Sequence, residues 1–160
     1  MFVGKVFYKR NARLINKLQS TLFDVISSDV FQKKMYYFNY LDSLTGLKNK
    51  KCLERELKYR MVRGTSFDLF FLDIDNFKKI NDQYGHIIGT KVLEAFSSKI
   101  KKKLPKESIV FRYGGDEFVI LITSNGAKII ESRNTFNNIE TIVDGKLFKL
   151  INSVGKYRWA

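Results

Sequence analysis

The sequence predicts an α+β domain with a ferredoxin-like β-α-β-β-α-β core, in which helices cover an antiparallel sheet, preceded by N-terminal helices. Three observations lead to this prediction: a nearly continuous apolar run at Phe67–Ile74, a Gly-Gly turn at 114–115 between two apolar segments, and a helical apolar repeat between the run and the turn. A continuous apolar run is typical of a strand buried on both faces. Two apolar runs joined by a short glycine turn are typical of a hairpin.

Length and composition are consistent with one folded domain and a short extension. The chain has 160 residues, of which 44% are hydrophobic and one is proline. This is enough apolar sequence for a core. With one cysteine, Cys52, no intrachain disulfide can form, and a single histidine leaves too few ligands for a structural zinc site.

The charge balance is strongly basic, with a formal net charge of +13. A solvated, lysine-rich surface explains this charge, and so does attraction of a polyanion such as a nucleoside triphosphate, nucleic acid or an anionic membrane. The apolar stretch at Met1–Tyr8 is short and interrupted by Lys5, unlike a signal peptide. Because no apolar run approaches the roughly 18 residues of a spanning helix, we expect a cytoplasmic chain without a transmembrane segment.

Residues 1–41 are expected to form a helical segment that precedes the domain at 42–160. A helix is predicted over Lys9–Ser27, and Asp29 with Gln32 resembles a capping box that starts a second helix, which ends near Leu41. The segment either packs on its own domain or acts as a dimerising or signal-carrying helix. The second possibility rests on a short heptad-like seam formed by Ile15, Leu18, Leu22 and Val25.

The elements of the domain follow from apolar spacing and turn residues. A loop is predicted at Asp42–Asn49, then a helix with Leu53, Leu57 and Met61 on one face, which ends at Gly64. Next come a strand at Phe67–Ile74, a helix marked by Val92, Leu93, Phe96 and Ile100, and strands at Ser108–Tyr113 and Glu117–Thr123. A weaker helix at about Ala127–Ile142 and a last strand at about Lys146–Val154, after an Asp144-Gly145 turn, complete the order. The helices are expected on one face of the sheet.

Two acidic features stand out within this order. Asp73 ends the apolar strand, where burying a carboxylate is costly without compensation, although a solvated acid that caps the next turn explains it equally well. The Gly114-Gly115 turn is followed at once by Asp116 and Glu117. Alone, this is also consistent with an acidic hairpin tip without function.

Taken together, the two features predict a metal and phosphate site. In the β-α-β-β order the first strand can lie beside the hairpin, so Asp73 and Asp116 would converge. Hard carboxylate oxygens with a backbone carbonyl suit Mg²⁺, and paired ions suit an in-line displacement at phosphorus. The bare glycine backbone at 114–115 would let a phosphate approach closely.

Three residues near these acids are candidates for nucleotide contacts. The N–H groups of the turn after Asp73, which begins at Asn76, could point at an anion, and Lys78 could neutralise one. Asn81 could read a base edge through its amide. His86 is the only histidine, and a lone histidine is more often structural than catalytic.

The motifs resemble those of the GGDEF family, the diguanylate cyclases. Arg112–Phe118 reads Arg-Tyr-Gly-Gly-Asp-Glu-Phe, the family signature. Asp42–Asn49 and Asp73–Lys78 resemble two further blocks, and the spacing continues through Asn81-Asp82, Gly85-His86 and Gly89. The resemblance covers about Asp42 to Val154 and implies a fold like the palm of nucleotidyl cyclases.

The resemblance implies a bacterial signalling enzyme that condenses two GTP into cyclic di-GMP across a homodimer, with Mg²⁺ or Mn²⁺ as cofactor. The implied metal ligands are Asp73, the Ile74 carbonyl, Asp116 and Glu117. The implied catalytic residues are Asp116, Glu117 and Lys78. The implied GTP contacts are Asn76, Phe77, Lys78, Asn81, His86, Thr90, Gly114 and Gly115.

Three departures from the family pattern bear on activity. Thr90 stands where the family commonly has an Asp that binds guanine, and losing such a charged acceptor costs about 1.5–3 kcal/mol. Pro105–Ser108 replaces the Arg-x-x-Asp motif of product inhibition. The family usually continues with a helix whose Lys and Arg hold the triphosphate, and the positions of Lys156 and Arg158 do not match it.

Three functions therefore remain open from the sequence. The intact signature favours an active diguanylate cyclase. Thr90 and the short C-terminal region favour a domain that binds GTP or a protein partner without catalysis. A nucleic-acid-binding module is suggested by charge alone, and no nucleic-acid partner is expected.

Overall fold

The computed structural model describes residues 3–123, 127, 135–136, 139–150 and 152–160, and in the first helix it describes the side chains of residues 11–12 and of those from 14 onward. The chain divides into two compact units, Met1–Asn39 and Tyr40–Ala160. Within the described ranges, no helix is long and apolar enough to cross a bilayer.

The first unit contains the two expected helices, α1 at Val3–Ser27 and α2 at Asp29–Tyr40. The predicted capping box is wrong by one residue, because Ser28 and not Asp29 caps α2. The Ser28 hydroxyl accepts from the Phe31 N–H at 3.3 Å, while the Gln32 amide donates to the Ile26 carbonyl at 2.8 Å. A serine just before a helix satisfies an otherwise unpaired N–H, and here it precedes the acid that the sequence suggested.

The elements of the second unit are β1 Lys48–Asn49, α3 Lys50–Val62, β2 Phe67–Ile74, α4 Phe77–Tyr84, α5 His86–Lys103, β3 Ile109–Gly114, β4 Glu117–Ile122, β5 Ile139–Val143, β6 Lys146–Leu150 and β7 Asn152–Trp159. Five of the strands form one sheet in the order β1-β3-β4-β2-β7. Only the short β1 runs parallel to its neighbour β3; the other pairs are antiparallel. This is the predicted ferredoxin-like arrangement, and the fold class is confirmed.

Both faces of the sheet are covered, which corrects the expectation of helices on one face. Alternate side chains of β2, such as Phe70 and Leu72, pack with α5. The ring centroids of Phe96 on α5 and Phe118 on β4 lie 4.9 Å apart. On the opposite face α3 places Cys52 and Leu53 against β2 and its neighbours. This two-sided burial is why β2 is an almost unbroken apolar run.

The C-terminal part of the domain differs from the prediction. Residues Ile139–Val143 are strand β5 and not the end of a helix; the rest of the predicted Ala127–Ile142 helix lies mostly outside the described residues. The single last strand is two strands, since β6 pairs with β5 in a separate two-stranded sheet. The cause is the turn at Asp144-Gly145, where φ is 47° and 77°: such a turn joins adjacent antiparallel strands and therefore requires a strand before it.

Candidate active site

The ends of β2 and β4 bring the predicted acids together. In the antiparallel register Asp73 lies opposite Glu117, so their side chains share one face of the sheet. The Ile74 N–H donates to the Asp116 carbonyl at 3.4 Å, which ties the end of β2 to the hairpin tip. Acids that are 43 or more residues apart in the sequence thus lie at one edge of the sheet.

Burial and neighbouring negative charges both disfavour the ionised form of Asp73. The pKa of Asp73 is raised, first by partial desolvation and then by the negative charges of Asp116 and Asp75. A divalent cation would relieve this repulsion, and the carboxylate and carbonyl oxygens present are the hard ligands that Mg²⁺ prefers. The donor set therefore fits the ion, although no group of three or more His, Cys, Asp or Glu side chains is arranged to hold a metal within the described part of the chain.

A guanidinium fixes the shape of the glycine turn. Gly115 has a φ of 48°, in the left-handed region that favours glycine, and its carbonyl accepts from Nε and Nη2 of Arg112 at 3.0 and 2.7 Å. Arg112 Nη1 donates to the Asp42 carboxylate at 3.0 Å. Asp42, 70 residues earlier, thereby fixes the side chain of Arg112, and Arg112 fixes the glycine turn through the Gly115 carbonyl.

Asp42 is itself held by its own turn. Its carboxylate accepts from the Thr45 N–H at 2.8 Å and from the Thr45 hydroxyl at 2.7 Å. Burial raises the pKa of Asp42, but the hydrogen bonds from Thr45 and the positive charge of Arg112 outweigh burial and leave that pKa below its ordinary value. The carboxylate is therefore stabilised in its charged form.

A cleft of about 360 Å³ joins most of the predicted nucleotide contacts. One part is formed by polar side chains of α4 and α5, and another by the glycine turn with its neighbouring acid. The lining residues are Leu44, Phe77, Lys78, Asn81, His86, Thr90, Leu93, Arg112, Gly115 and Asp116.

Gly89 allows α4 and α5 to approach closely at this cleft. A Cβ added at Gly89 would lie 3.0 Å from Cγ of Asn81, closer still to its Oδ1, and 3.3 Å from the Phe77 ring. The absence of a side chain at residue 89 therefore sets the position of the Asn81 amide. Gly85, with a φ of 82°, separates the two helices.

The turn between β2 and α4 has an unusual backbone. Asn76 adopts a left-handed conformation, with φ 59° and ψ 26°, and its side chain does not cap α4. Left-handed residues next to a helix start direct successive N–H groups to one side, which is a geometry that suits anions. Phe77, the first residue of α4, is buried, and its neighbour Lys78 lines the cleft.

A second cavity, of about 460 Å³, lies on the face of the sheet that Asp73 and Glu117 share. Ser153 of β7 also lines it. The acids are thus divided: Asp116 lines the cleft, whereas Asp73 and Glu117 line the second cavity. Together the two cavities flank the edge of the sheet where the acids meet.

Lys156 and Arg158 are held away from this edge. Both form ion pairs with Asp68, which is fully buried near the start of β2: Arg158 Nε lies 2.8 Å and Lys156 Nζ 3.8 Å from Asp68 Oδ1. Asp73 is near the other end of the same strand. Their pairing with Asp68 agrees with the sequence, in which the positions of Lys156 and Arg158 do not match the Lys and Arg of the family's last helix.

The structure brings seven of the predicted residues into the cleft and leaves five outside its lining. Those outside are Asp73, Ile74, Asn76, Gly114 and Glu117, of which Asp73 and Glu117 line the second cavity. Sequence reasoning missed Leu44 and Leu93 as lining residues and did not foresee the bond between Asp42 and Arg112. Asp42 and Leu44 lie within a recognised motif, which was the available signal. Leu93 was predicted as part of the apolar face of a helix, and nothing in the sequence marked it as a lining residue.

The fold and this site define an α+β domain with carboxylates at the tip of a glycine hairpin beside a polar cleft. Residues 39–152 match the family model described as "Diguanylate cyclase, GGDEF domain". The chain belongs to the GGDEF family.

Similar proteins have names related to cyclic di-GMP. The chain is 41% identical over 85 residues to the diguanylate cyclase DgcP of Pseudomonas aeruginosa, covering 51% of the chain and 13% of DgcP. It is 30% identical over 146 residues to the diguanylate cyclase DosC of Escherichia coli, covering 88% and 31%. It is 35% identical over 122 residues to the cyclic di-GMP phosphodiesterase NbdA of P. aeruginosa, covering 71% and 16%. The chain thus spans less than a third of each relative.

A solved structure shows the same fold over almost the whole chain. It is the diguanylate cyclase SiaD of P. aeruginosa in complex with its activator SiaC, with a TM-score of 0.70 and 25% identity. The match covers 99% of this chain and 64% of SiaD.

Proposed function

We propose that this chain is a diguanylate cyclase, which condenses two GTP into cyclic di-GMP and releases two pyrophosphates. The supporting observation is a cleft whose lining joins the side chains of Lys78, Asn81 and His86 with the glycine turn at Gly115. In this proposal Asn81 and His86 would contact the base, and Lys78 and Gly115 the phosphates. Asp116 lines the same cleft beside the end of β2.

The reaction is an in-line displacement at each α-phosphorus. The 3′-oxygen of one GTP bonds to the α-phosphorus of the other, the bond from that phosphorus to the bridging oxygen breaks, and pyrophosphate leaves with the electron pair. The 3′-hydroxyl proton passes to a base, for which we propose the Asp116 carboxylate. Two such steps close the ring.

Asp73, the Ile74 carbonyl and Asp116 would hold Mg²⁺ or Mn²⁺, and Glu117 would support a second ion. When bound, such ions polarise the phosphate and stabilise the charge that develops on the attacking and leaving oxygens. The pKa of Asp73 is raised first by burial and then by the charges of Asp116 and Asp75, and a bound cation would offset the part that is due to those charges.

The remaining residues would bind and orient GTP. The N–H groups of Asn76 and Phe77 would contact phosphates, with Lys78 neutralising charge through its side chain. The bare Gly114-Gly115 backbone would allow the triphosphate to approach. Guanine would contact Asn81, His86 and Thr90.

Catalysis would require two copies of the chain. Each domain would present one GTP, and the 3′-hydroxyl of each would attack the other, so a homodimer would bring the halves together. This part of the proposal rests on the chemistry that the family resemblance implies.

The direct test is incubation of the chain with GTP and Mg²⁺ or Mn²⁺, followed by chromatography for cyclic di-GMP. Product that is lost in Asp73→Ala and in Asp116→Ala, and kept in the matched surface variant Asp144→Ala, would support the cyclase. Product formation that persists in both site variants would refute the assignment of these acids.

The second candidate is a catalytically impaired GGDEF domain that binds GTP or a protein partner. Thr90 favours it, since a threonine lines the cleft where a charged acceptor for guanine is expected. The resemblance to a protein named a phosphodiesterase also favours it. GTP binding without product would support this candidate.

Replacing Thr90 by Asp tests whether guanine contact limits activity. We expect about ten- to a hundredfold tighter GTP binding, because a carboxylate accepts hydrogen bonds more strongly than a hydroxyl. The measurement is calorimetric titration with a non-hydrolysable GTP analogue. Thr90→Asn, in which the new side chain is similar in size to Asp but uncharged, is the control. Equal affinity in Thr90→Asp and Thr90→Asn would show that the missing negative charge at residue 90 does not limit GTP binding.

A further inference from the structure

A short hydrogen bond connects the last strand of the sheet with the turn that follows β2. The hydroxyl of Ser153 donates to Oδ1 of Asp75 at 2.6 Å, across 78 positions of the sequence. Ser153 lies on β7 directly opposite Asp73, so its side chain reaches the residue two positions beyond its strand partner. The bond therefore ties this turn to a strand that pairs with β2 along its whole length.

The turn needs support from outside itself. Asn76, which follows Asp75, has the left-handed conformation that non-glycine residues adopt at a cost in free energy. Its side chain makes no capping bond to α4. The backbone bond within the turn is the one from the Lys79 N–H to the Asn76 carbonyl, at 2.9 Å. A carboxylate anchored on one side of Asn76 and a helix on the other restrict it from both directions.

The bond also directs one of three neighbouring acids. Asp75 follows Asp73 by two positions, just beyond the end of β2. By accepting from Ser153, the Asp75 carboxylate gains a neutral donor for its charge and is held toward β7.

We infer that Ser153 and Asp75 are positioning residues for the nucleotide site, because their hydrogen bond holds the turn at Asn76–Phe77 in the conformation that directs its N–H groups to phosphate. The inference rests on the proposed function, since it assigns those N–H groups to GTP. Neither side chain touches the reacting atoms. Their effect passes through the backbone of the turn.

The alternative is that the bond only attaches the turn to the sheet. A purely structural bond would change the stability of the fold without changing how tightly the folded protein binds nucleotide. The two possibilities therefore separate when binding, backbone conformation and stability are measured on the same variants.

The experiment compares the full chain with Ser153→Ala, Ser153→Thr, Asp75→Ala and the double variant Ser153→Ala/Asp75→Ala. Tyr157→Phe is the matched control, since it removes a hydroxyl from an exposed side chain of the same strand, near its other end. The readouts are affinity for a non-hydrolysable GTP analogue, kcat and KM, amide chemical shifts of Asn76 and Phe77, and the midpoint of thermal unfolding.

We expect Ser153→Ala to weaken binding of the analogue by roughly three- to tenfold and to shift the amide resonances of Asn76 and Phe77. Ser153→Thr, which keeps the hydroxyl, should restore both, and Tyr157→Phe should change neither. The double variant should bind no more weakly than Asp75→Ala, because both substitutions break the same bond.

The inference is overturned when Ser153→Ala leaves those amide resonances as Tyr157→Phe does, or when the losses in Ser153→Ala and Asp75→Ala add. It is also overturned when Ser153→Ala lowers only the unfolding midpoint. A wild-type chain that binds no GTP analogue would refute the proposed function instead, and the amide shifts would then still decide whether Ser153 positions the turn.

Discussion

Gly89 shows at the scale of one residue how a missing side chain can set a binding geometry. Its position in α5 would otherwise favour alanine, since glycine inside a helix is destabilising by roughly 0.5–1 kcal/mol. The added Cβ would meet the Asn81 amide, the end of a movable side chain, more closely than any other group. The glycine therefore serves the placement of Asn81 and not the stability of the helix.

Gly89→Ala should weaken binding of a GTP analogue about tenfold, because Asn81 can swing aside but then loses the hydrogen bond to the base that we propose for it. The unfolding midpoint should stay the same or rise slightly, because alanine is favoured over glycine in a helix by roughly 0.5–1 kcal/mol. Calorimetric titration and thermal unfolding measure the two effects. Gly155→Ala is the control, since nothing lies within 4 Å of the Cβ it would add. Unchanged affinity in Gly89→Ala would contradict a role for Asn81 in base binding.

Asp42 links ionisation to stability. A carboxylate whose pKa is lower in the folded state stabilises the fold above its unfolded pKa, and this contribution disappears as the pH falls through the folded pKa. Because the pKa of Asp42 is lowered, its contribution should be complete at neutral pH and lost below about pH 4.

Asp42→Asn should therefore reduce the free energy of unfolding by about 1–2 kcal/mol at pH 7, and the difference from wild type should shrink toward zero in acid. Urea unfolding at neutral and acidic pH measures it. Asp144→Asn removes an exposed partner of Lys91 and should cost about 0.5 kcal/mol or less. A deficit for Asp42→Asn that is independent of pH would exclude the charge as its cause.

At the scale of elements, two side-chain contacts attach β7 to β2, one near each end of β2, and their roles differ. Near the start of β2, Asp68 is fully buried. It forms ion pairs with Arg158 and Lys156, whose side chains are partly exposed. Near its end, Ser153 reaches the turn after the strand. The first contact fixes the strand in the sheet, and the second lies beside the candidate site.

Arg158→Ala should lower the free energy of unfolding by about 1–3 kcal/mol, because it removes a partner from a buried carboxylate. Affinity for a GTP analogue should stay within about twofold of wild type, since Asp68 and Asp73 lie toward opposite ends of β2. Lys149→Ala, which breaks an exposed pair with Glu140, is the control for stability. A large loss of nucleotide affinity in Arg158→Ala would instead assign this arginine to the triphosphate.

At the scale of the whole molecule, the N-terminal unit presents an uncovered apolar seam. The side chains of Ile15, Leu18, Leu22 and Val25 are each more than half exposed in the single chain, at spacings of three and four residues. Such a seam is stable in water when a second helix covers it. Two copies of the chain would satisfy this requirement and the need of the proposed reaction for two GTP sites.

Leu18→Asp should therefore shift the chain toward a monomer in sedimentation and reduce cyclic di-GMP formation at least tenfold, while GTP affinity per chain is kept. A charge on the seam is costly when two helices pack there. Lys17→Asp makes a similar change at the neighbouring position and is the control. Full product formation by a monomeric Leu18→Asp chain would refute the requirement for this seam.

Local patterns were sufficient for much of the fold and for the residue types of the site. The bounds of β2 follow from its apolar run, and the glycine hairpin follows from its turn residues. The two-residue turn at Asp144-Gly145 was also visible. Its consequence, a separate hairpin of β5 and β6, was missed because helix and strand periods are difficult to separate in a short segment.

The sequence by itself determined the family, the order of the core elements and the acids, glycines and amide of the candidate site, since these depend on residue type and spacing along the chain. Tertiary structure alone decided that Asp42 holds Arg112, that Lys156 and Arg158 pair with Asp68, and that Ser153 reaches Asp75. Those partners are 70 to 90 positions apart. Their pairing depends on strand register and side-chain direction, which no local pattern of residues specifies.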